Sequence, residues 1–264
     1  MAGDGLSALA SAVAPALRRG GAALLDLLLP RVCVACARAL SAREAGLVCG
    51  RCWLSAAELP LPQCQRCGHP IDLRRRPSAG CAWCELLPPY VRSVRSAYAI
   101  PGGSAERIVH ALKYGGWPAV APAMARRMAA LRFPPDVEQE RAALVPVPLA
   151  ASRRRERGYN QSAELARALG ARWNVPVRED LVARTRATKT QTRLTPGERS
   201  RNVSGAFRAR ADRAALRGLH LVLVDDVATT CATLNACAAA LHAGGARILS
   251  YVTFGRAPAL GDRW

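Results

Sequence analysis

Eight of the ten cysteines in this 264-residue chain form four C-x-x-C pairs between Cys33 and Cys84. The pairs are Cys33/Cys36, Cys49/Cys52, Cys64/Cys67 and Cys81/Cys84. A C-x-x-C turn aims two thiolates at one point about 2.3 Å from a metal ion, and two such turns complete a tetrahedral zinc site. Four consecutive pairs with two-residue gaps are not the usual pattern of a secreted disulfide domain. The spacing therefore predicts two structural zinc sites with these eight cysteines as ligands.

The spacing favours one pairing of the four turns without excluding the other. The first two pairs are separated by 12 residues and the last two by 13, which favours two tandem zinc ribbons. A cross-braced arrangement stays open. The cysteine segment is short and buries little apolar area. Bound metal would therefore supply much of its folding free energy. A module with only a structural or docking role is an alternative to a module that binds nucleic acid.

Three regions are predicted along the chain. Residues 1–30 are rich in Ala and Gly and are expected to be partly helical and partly loose, residues 31–88 hold the double zinc ribbon, and residues 89–264 form a larger domain after a Pro-Pro pair. The first apolar stretch has no basic segment before it, and no stretch reaches the ~20 apolar residues that span a bilayer. We expect a cytoplasmic protein with reduced thiols and no membrane span.

The larger domain alternates strand and helix patterns. Strands are predicted over 91–100, 143–148, 175–182, 219–224 and 248–254, with helices starting near 103 and over 119–131, 162–173 and 233–243. This alternation predicts an α/β fold with a mainly parallel sheet and right-handed crossovers. Ligands of such sheets bind at the carboxyl ends of the strands. The junctions between strands and helices are therefore the places to search for a site.

The junction after the strand over 219–224 carries the most chemistry. It begins with Asp225 and Asp226 and continues to the next helix through Ala228, Thr229, Thr230, Cys231, Ala232 and Thr233. Backbone N–H groups and Thr hydroxyls at a helix N-terminus form a phosphate cradle, and the two carboxylates can accept hydrogen bonds from sugar hydroxyls. Simple helix capping is the alternative. Two acids and three threonines after an apolar strand favour a site for a ribose 5-phosphate.

Basic residues are concentrated between these junctions. The chain has 38 Lys and Arg against 19 Asp and Glu, a net charge of +19, and residues 150–210 hold 15 basic and 5 acidic side chains. A charge of this size suggests a polyanionic partner. Arg153 and Arg157, in a basic loop after a predicted strand, have the fork geometry that suits a pyrophosphate, with a solvated run of charges as the alternative. Arg193 and Arg199 lie in a long polar loop over 184–207, which is either a functional lid or a disordered insert.

The order of these motifs resembles a known family. Four C-x-x-C pairs are followed by ALKYGG at 111–116, PVPL with R-x-x-x-RGYNQ, a T-x-x-Q-x-x-L-x-x-x-x-R-x-x-N loop, and LVLVDDVATT, which resembles the type I phosphoribosyltransferase signature. Together they resemble the ComF family of double-zinc-ribbon proteins linked to DNA uptake. The resemblance implies 5-phosphoribosyl-1-pyrophosphate as ligand with Mg²⁺, Asp225 and Asp226 as catalytic residues that hold the ribose hydroxyls, and single-stranded DNA and competence proteins as partners.

One residue departs from the family pattern. Cys231 stands where the family usually has Gly, and a Cβ there would strain a turn that needs a positive φ or crowd the phosphate. This departure supports an alternative function, in which the transferase fold is catalytically inactive and the chain is a nucleic-acid-binding adaptor. The adaptor would use the zinc ribbons and the basic surface, and its affinity would fall steeply with salt. The acceptor substrate of any transferase reaction does not follow from the sequence.

Overall fold

The structure is a computed structural model that describes residues 30–41, 43–44, 46–71, 81–186 and 196–258. The segment predicted over 1–30 lies outside this part of the chain, apart from residue 30. The strands are β1 Val91–Ala99, β2 Arg141–Pro146, β3 Val182–Arg184, β4 Phe207–Ala209, β5 His220–Ala228 and β6 Ile248–Arg256. The helices are α1 Gly50–Leu54, α2 Ala82–Glu85, α3 Gly103–Tyr114, α4 Ala121–Ala129, α5 Pro135–Glu140, α6 Ala151–Arg157, α7 Gln161–Trp173, α8 Pro196–Val203, α9 Arg213–Leu216 and α10 Ala232–Ala243.

Four strands form the central sheet in the order β1-β6-β5-β2, and all three pairings are parallel. Helices connect these strands, as a parallel sheet requires. The shorter strands β3 and β4 pair with each other in an antiparallel ribbon outside this sheet. The predicted α/β fold with a mainly parallel sheet is confirmed.

Apolar side chains cover both faces of the sheet. In β5, Val222 and Val224 face the side covered by α3, α4 and α7, while Leu221 and Leu223 face the side covered by α10. Strands that are buried on both faces read as continuous apolar runs, which explains the LVLV sequence before the acidic pair. The core is therefore a sheet between two helical layers, with the carboxyl ends of the strands at one edge.

The cysteine segment wraps around the free edge of β1. The Ala99 amide donates to the Ala57 carbonyl and the Val94 amide donates to the Arg66 carbonyl, each at 2.8 Å. These bonds cover an edge strand that would otherwise expose unpaired backbone groups. The wrapping places Cys33, Cys49 and Cys52 in the core layer on the α3 side, and Cys67 in the layer on the α10 side. The two cysteine groups thus lie on opposite faces of the sheet.

Three predictions about the elements need correction. The segment predicted as a strand over 175–182 makes only a single parallel bridge from Val177 to Leu144, because the charged Glu179 and Asp180 that follow are exposed. The predicted basic loop is helix α6, since Arg is a good helix former and Gly158, with φ 82°, ends the helix in the left-handed conformation. The strand predicted over 219–224 does not end before the acidic pair, because β5 includes both aspartates and continues to Ala228.

Part of the polar loop predicted over 184–207 is helical. Residues 187–195 lie outside the described part, and the chain resumes in α8, which leads back to β4. The two ends of this segment lie side by side, because β3 pairs with β4. The Arg186 guanidinium also joins them, since it donates to the carbonyls of Asn202 and Ser204 at 3.0 and 2.9 Å. The lid function of this segment stays a prediction.

Candidate functional site

The eight paired cysteines form two clusters in sequential order. The first cysteine cluster is Cys33, Cys36, Cys49 and Cys52, and the second cysteine cluster is Cys64, Cys67, Cys81 and Cys84. All eight are free thiols, and the sulfur atoms of each cluster lie within 4.8 Å of one another. Sulfur–sulfur distances are 3.8 Å for Cys36–Cys49, and 3.5 and 3.4 Å for Cys64–Cys84 and Cys67–Cys81. A tetrahedral zinc ion with Zn–S bonds of about 2.3 Å requires about 3.8 Å. Both clusters fit a zinc site, and their grouping is the tandem one.

The thiol chemistry of the clusters also suits a divalent cation. Burial raises the pKa of the Cys64 thiol, but hydrogen bonds from the Cys67 and Arg66 backbones outweigh it and lower that pKa to about 7. Burial and the neighbouring sulfurs, by contrast, raise the pKa of Cys67 well above its ordinary range. One thiolate therefore forms readily, and its charge opposes the ionisation of the others. A bound cation removes this opposition and keeps all four sulfurs as thiolates.

The acidic pair on β5 lies against a lysine from α3. Lys113 Nζ is 3.0 Å from Asp226 Oδ1, and the Asp226 side chain is only 5% exposed. Burial lowers the pKa of Lys113, but the Asp226 carboxylate beside it raises that pKa overall. The second oxygen of this carboxylate, Oδ2, is buried and has no hydrogen-bond partner within the described residues. A buried oxygen left unsatisfied costs about 1–3 kcal/mol, so a ligand hydroxyl at this position would gain more than an ordinary hydrogen bond.

Asp225 is held by the start of α7. Its Oδ1 accepts hydrogen bonds from the Ser162 hydroxyl at 2.8 Å and from the Asp226 amide at 2.9 Å. Burial and the neighbouring Asp226 carboxylate raise the pKa of Asp225, while Ser162 and Lys113 oppose the rise. Two carboxylates at one strand end are therefore kept together by a serine and a lysine from two different helices.

The RGYNQ motif joins those helices. Gly158 ends α6, and the Tyr159 hydroxyl donates to the carbonyl of Leu112, the residue before Lys113. The Asn160 side chain accepts from the Ser162 amide at 3.2 Å and thereby caps α7. Gln161 accepts a hydrogen bond from the Arg157 guanidinium at 2.6 Å. The motif thus fixes the serine and the lysine that position the acidic pair.

The loop over residues 228–233, called the phosphate loop below after its predicted ligand, turns sharply between β5 and α10. Cys231 has φ 58° and ψ 12° and stands at the N-cap of α10. The predicted need for a positive φ at the usual Gly position is confirmed, and a left-handed non-Gly residue costs about 1–2 kcal/mol. The Thr230 hydroxyl is buried and has no partner among the described residues. Ala228 and Ala232 are buried, and Thr229 and Thr233 are half-buried.

The predicted arginines lie in different surroundings. Arg157 reaches the end of α3, where its guanidinium carbon is 5.1 Å from the centroid of the Tyr114 ring. Arg153 forms an ion pair with Glu156 on the surface of α6 at 3.3 Å. Arg193 lies outside the described residues, and Arg199 belongs to α8. Their contact with pyrophosphate stays a prediction.

Sequence reasoning missed three residues of the site: Lys113, Ser162 and Arg184. Arg184 lies on β3, where burial lowers its pKa and the nearby Asp225 carboxylate opposes that shift. A signal for the first existed, because Lys113 and Lys189 are the only two lysines among 38 basic residues. A chain that uses Arg almost everywhere but places Lys in the ALKYGG motif indicates a role for a compact ammonium group. No sequence signal pairs Ser162 or Arg184 with Asp225, since only the fold brings them together.

No helix in the described part of the chain has the length and apolar character needed to cross a membrane. A family model described as "Double zinc ribbon domain" matches residues 24–85. The chain is 34% identical over 238 residues to the DNA utilization protein YhgH of Salmonella typhimurium, covering 83% of this chain and 94% of that protein. It is 37% identical over 93 residues to Competence protein F of Haemophilus influenzae, covering 35% of this chain and 41% of that protein.

Solved structures give a more distant likeness. A Trypanosoma cruzi hypoxanthine phosphoribosyltransferase is 23% identical, covering 52% of this chain and 64% of that chain, with a TM-score of 0.28. TT1426 from Thermus thermophilus is 15% identical, covering 56% of this chain and 85% of that chain, with a TM-score of 0.29.

Proposed function

Since this chain belongs to the ComF family, we propose that it binds 5-phosphoribosyl-1-pyrophosphate with Mg²⁺ at the carboxyl end of β5. The observation that carries the proposal is a pair of buried polar atoms without partners in the described chain, Asp226 Oδ2 and Thr230 Oγ1. Asp226 Oδ2 belongs to a carboxylate that we assign to the sugar, and Thr230 Oγ1 belongs to the phosphate loop four residues further along the chain. Buried polar groups are nearly always satisfied, so such orphans suggest a ligand.

The residues divide the proposed ligand among them. Asp225 and Asp226 accept hydrogen bonds from the two ribose hydroxyls, and the phosphate loop from Ala228 to Thr233 donates backbone N–H groups to the 5-phosphate at the start of α10. The Lys113 ammonium group lowers the pKa of Asp225, and so opposes the rise that burial and the adjacent Asp226 carboxylate cause. We assign Arg153, Arg157, Arg193 and Arg199 to the pyrophosphate.

The proposed reaction is a phosphoribosyl transfer. The bond between ribose C1 and the pyrophosphate oxygen breaks, and its electron pair leaves with pyrophosphate. A nucleophile on an acceptor then forms the new bond to C1 and loses its proton. The oxocarbenium-like centre between these events needs shielding from water, which we assign to the loop over 184–207.

Carboxylate oxygens are the ligand type that Mg²⁺ prefers, and we assign one carboxylate of the acidic pair to hold the ion through water. When bound, the ion would neutralise charge on the departing pyrophosphate. The two cysteine clusters would hold zinc as structural sites. We further propose that residues 31–88 form the double zinc ribbon, that residues 89–264 form the transferase-like domain, and that the protein works in the cytoplasm.

Calorimetry of the zinc-loaded full chain with phosphoribosyl pyrophosphate and Mg²⁺ tests the proposal. Asp226→Asn should abolish or strongly weaken binding, because it removes the charge that accepts the ribose hydroxyls. Asp136→Asn is the matched control: this carboxylate pairs with Arg92 at 2.6 Å before the start of β2, at the opposite end of the sheet. Absence of heat with the wild-type chain, or equal binding by the Asp226 variant, would refute the proposed site.

We propose that the biological role lies in DNA uptake, with single-stranded DNA and competence proteins as partners. Support comes from the relatives, one called a DNA utilization protein and another Competence protein F. One surface feature also favours binding of single strands. Arg107, His110, Tyr114 and Trp117 follow each other at helical spacing along and just beyond α3, with Tyr114 61% and Trp117 46% exposed. A cavity of about 270 Å³ opens beside Arg107, His110 and Trp117.

An aromatic and basic stripe of this kind suits an unstacked nucleobase with its phosphate. Replacement of Tyr114 or Trp117 by Ala should weaken single-stranded DNA binding by about 5- to 150-fold, since stacking is worth about 1–3 kcal/mol per base. Leu54→Ala, which truncates another exposed apolar side chain, is the control. Fluorescence anisotropy with a labelled oligonucleotide, repeated over a salt series, measures both effects. Unchanged affinity in both stripe variants would contradict this role.

A further inference from the structure

Arg256 connects the second cysteine cluster to the phosphate loop. It ends β6 and lies opposite Ala228, the first residue of the loop, in the register of the sheet. Its residue exposure is 1%, and its Nη1 donates to the Cys67 carbonyl at 2.6 Å. Its guanidinium carbon lies 5.4 Å from the centroid of the Trp83 ring, between Cys81 and Cys84. One buried side chain therefore touches the second cluster from the strand next to the loop.

Among the residues that the structure describes, the charge of this arginine has no carboxylate partner. Arg66, Arg95 and Arg256 donate to the carbonyls of Cys84, Gln65 and Cys67, respectively, all in or beside the turns of the second cluster. In the described ranges none of the three arginines forms an ion pair with a carboxylate. Buried charges require compensation. Four thiolates around a zinc ion carry a net charge of −2, so the metal-loaded cluster supplies it.

Arg256 is also close to the loop itself. Burial raises the pKa of the Cys231 thiol, and the positive charge of Arg256 opposes that rise. The Nε of Arg256 is buried and has no hydrogen-bond partner among the described residues. The guanidinium thus retains a donor that its contact with Cys67 does not use.

A second contact ties the other side of the loop to the same cluster. The Asn235 side-chain amide, in the first turn of α10, donates to the carbonyl of Leu86, two residues after Cys84, at 2.7 Å. The Asn235 backbone amide donates to the Cys231 carbonyl, also at 2.7 Å. Both flanks of the loop, β6 beside its start and α10 at its end, therefore rest on the second cluster.

We propose that metal at the second cysteine cluster and phosphate at the phosphate loop bind with positive cooperativity, with Arg256 as the positioning residue between them. Metal loading orders the turns that hold Arg256 and Asn235, so the loop is already ordered when the phosphate arrives. The negative charge of the metal-loaded cluster would repel a phosphate, but Arg256 offsets part of that charge. The ordering effect therefore outweighs the repulsion, and the cooperativity is positive. The first cysteine cluster lies on the opposite face of the sheet and is outside this coupling. This inference rests on the proposed phosphoribosyl site.

Competition with a chromogenic zinc chelator tests the coupling at equilibrium, without reference to turnover. Zinc affinity is measured for the full chain alone and with saturating ribose 5-phosphate or phosphoribosyl pyrophosphate plus Mg²⁺. Coupling between sites is typically about 5- to 150-fold, and by linkage the same factor appears in ligand affinity when zinc is removed. We expect the ligand to raise the zinc affinity of one site by at least about fivefold and to leave the zinc affinity of the other site unchanged. Loss of the responding zinc in Cys81→Ser assigns it to the second cluster.

Conservative variants separate coupling from simple stability. Arg256→Lys keeps the charge and loses the fork, and it should reduce the ligand effect on zinc to about onefold. Arg95→Lys is the matched control, because Arg95 also donates to a carbonyl beside the second cluster, that of Gln65, but does not contact the loop. This variant should bind zinc more weakly, while the ligand should still raise its zinc affinity. Asn235→Leu, at a half-buried position, cuts the second contact and should also reduce the ligand effect even if Arg256→Lys fails to fold.

The outcomes are distinguishable. Ligand binding by the wild-type chain with zinc affinity unchanged refutes the coupling and leaves the proposed function standing. Equal ligand effects in the Arg256, Asn235 and Arg95 variants refute the role of the two contacts. Absence of ligand binding by the zinc-loaded wild-type chain refutes the proposed function and this inference with it.

Discussion

Removal of the Lys113 ammonium group should destabilise the fold in a way that depends on pH. The perturbation is Lys113→Met, which keeps an unbranched side chain and removes the charge 3.0 Å from Asp226. At this distance and an effective dielectric constant of about 20, the attraction is about 5.5 kcal/mol. Measured losses on breaking buried pairs are about 3–5 kcal/mol. The variant leaves two adjacent carboxylates without their cation.

The protein can limit this cost by taking up a proton. Burial and the Asp226 carboxylate already raise the pKa of Asp225 to about 7, so the wild type takes up a proton at this residue as pH falls to 6.0. We therefore expect Lys113→Met to lower the free energy of unfolding by about 4 kcal/mol at pH 7.5, and by up to about 1 kcal/mol less at pH 6.0. The loss is smaller at low pH because the native state of the variant binds more protons than the native state of the wild type. Lowering the pH therefore stabilises the variant relative to the wild type.

Denaturant unfolding of both proteins with zinc present, at both pH values, measures the difference. The comparison with wild type at each pH cancels the common effect of acid on the cysteine clusters. Lys113→Met combined with Asp226→Asn should be more stable than Lys113→Met alone at pH 7.5, because only one carboxylate remains. An equal loss at both pH values, or a double variant no more stable than the single one, would refute the electrostatic reasoning.

Further predictions concern the loop, the acidic pair and the second cluster. Cys231→Gly should be more stable than Cys231→Ala by about 1 kcal/mol in denaturant unfolding, because only Gly adopts the left-handed conformation without strain; equal stabilities would contradict the observed φ. Affinity for phosphoribosyl pyrophosphate should fall as pH drops through neutrality, because burial raises the pKa of Asp225, and Ser162→Ala should move this fall to higher pH; calorimetry that shows no pH dependence would count against it. Gly68→Ala should lose zinc from the second cluster in a chelator assay, because its Cβ would lie 2.3 Å from the Val94 carbonyl oxygen; full retention of zinc would argue otherwise.

The sequence predicted the elements whose patterns are dictated by burial. Residues 91–100 and 248–254 were predicted as strands and form β1 and β6, and the helices α3, α7 and α10 start within two residues of their predicted positions. These segments pack their apolar side chains against one core, so the hydrophobic period carries the information. The strand predicted over 175–182 was wrong: Val175 and Val177 are half-buried against the core, but the segment makes a single bridge to Leu144 and the charged residues after it are exposed.

The site was predictable where one contiguous segment builds it and unpredictable where the fold does. Asp225, Asp226 and the phosphate loop are neighbours in the chain, so spacing was enough to propose them. Lys113 and Arg256 come from α3 and β6, and their partners are more than 100 residues away. The spacing of the cysteines indicated the tandem grouping, but it contained no information on which face of the sheet each cluster would occupy.

A crystal structure of the zinc-loaded chain with phosphoribosyl pyrophosphate and Mg²⁺ tests the central claim most directly. We expect the 5-phosphate against the backbone amides of residues 228–233, and the ribose hydroxyls on Asp225 and Asp226, with Asp226 Oδ2 accepting a hydrogen bond from one of them. Ligand bound elsewhere on the basic surface, or an acidic pair left without a ligand at saturating concentration, would contradict it.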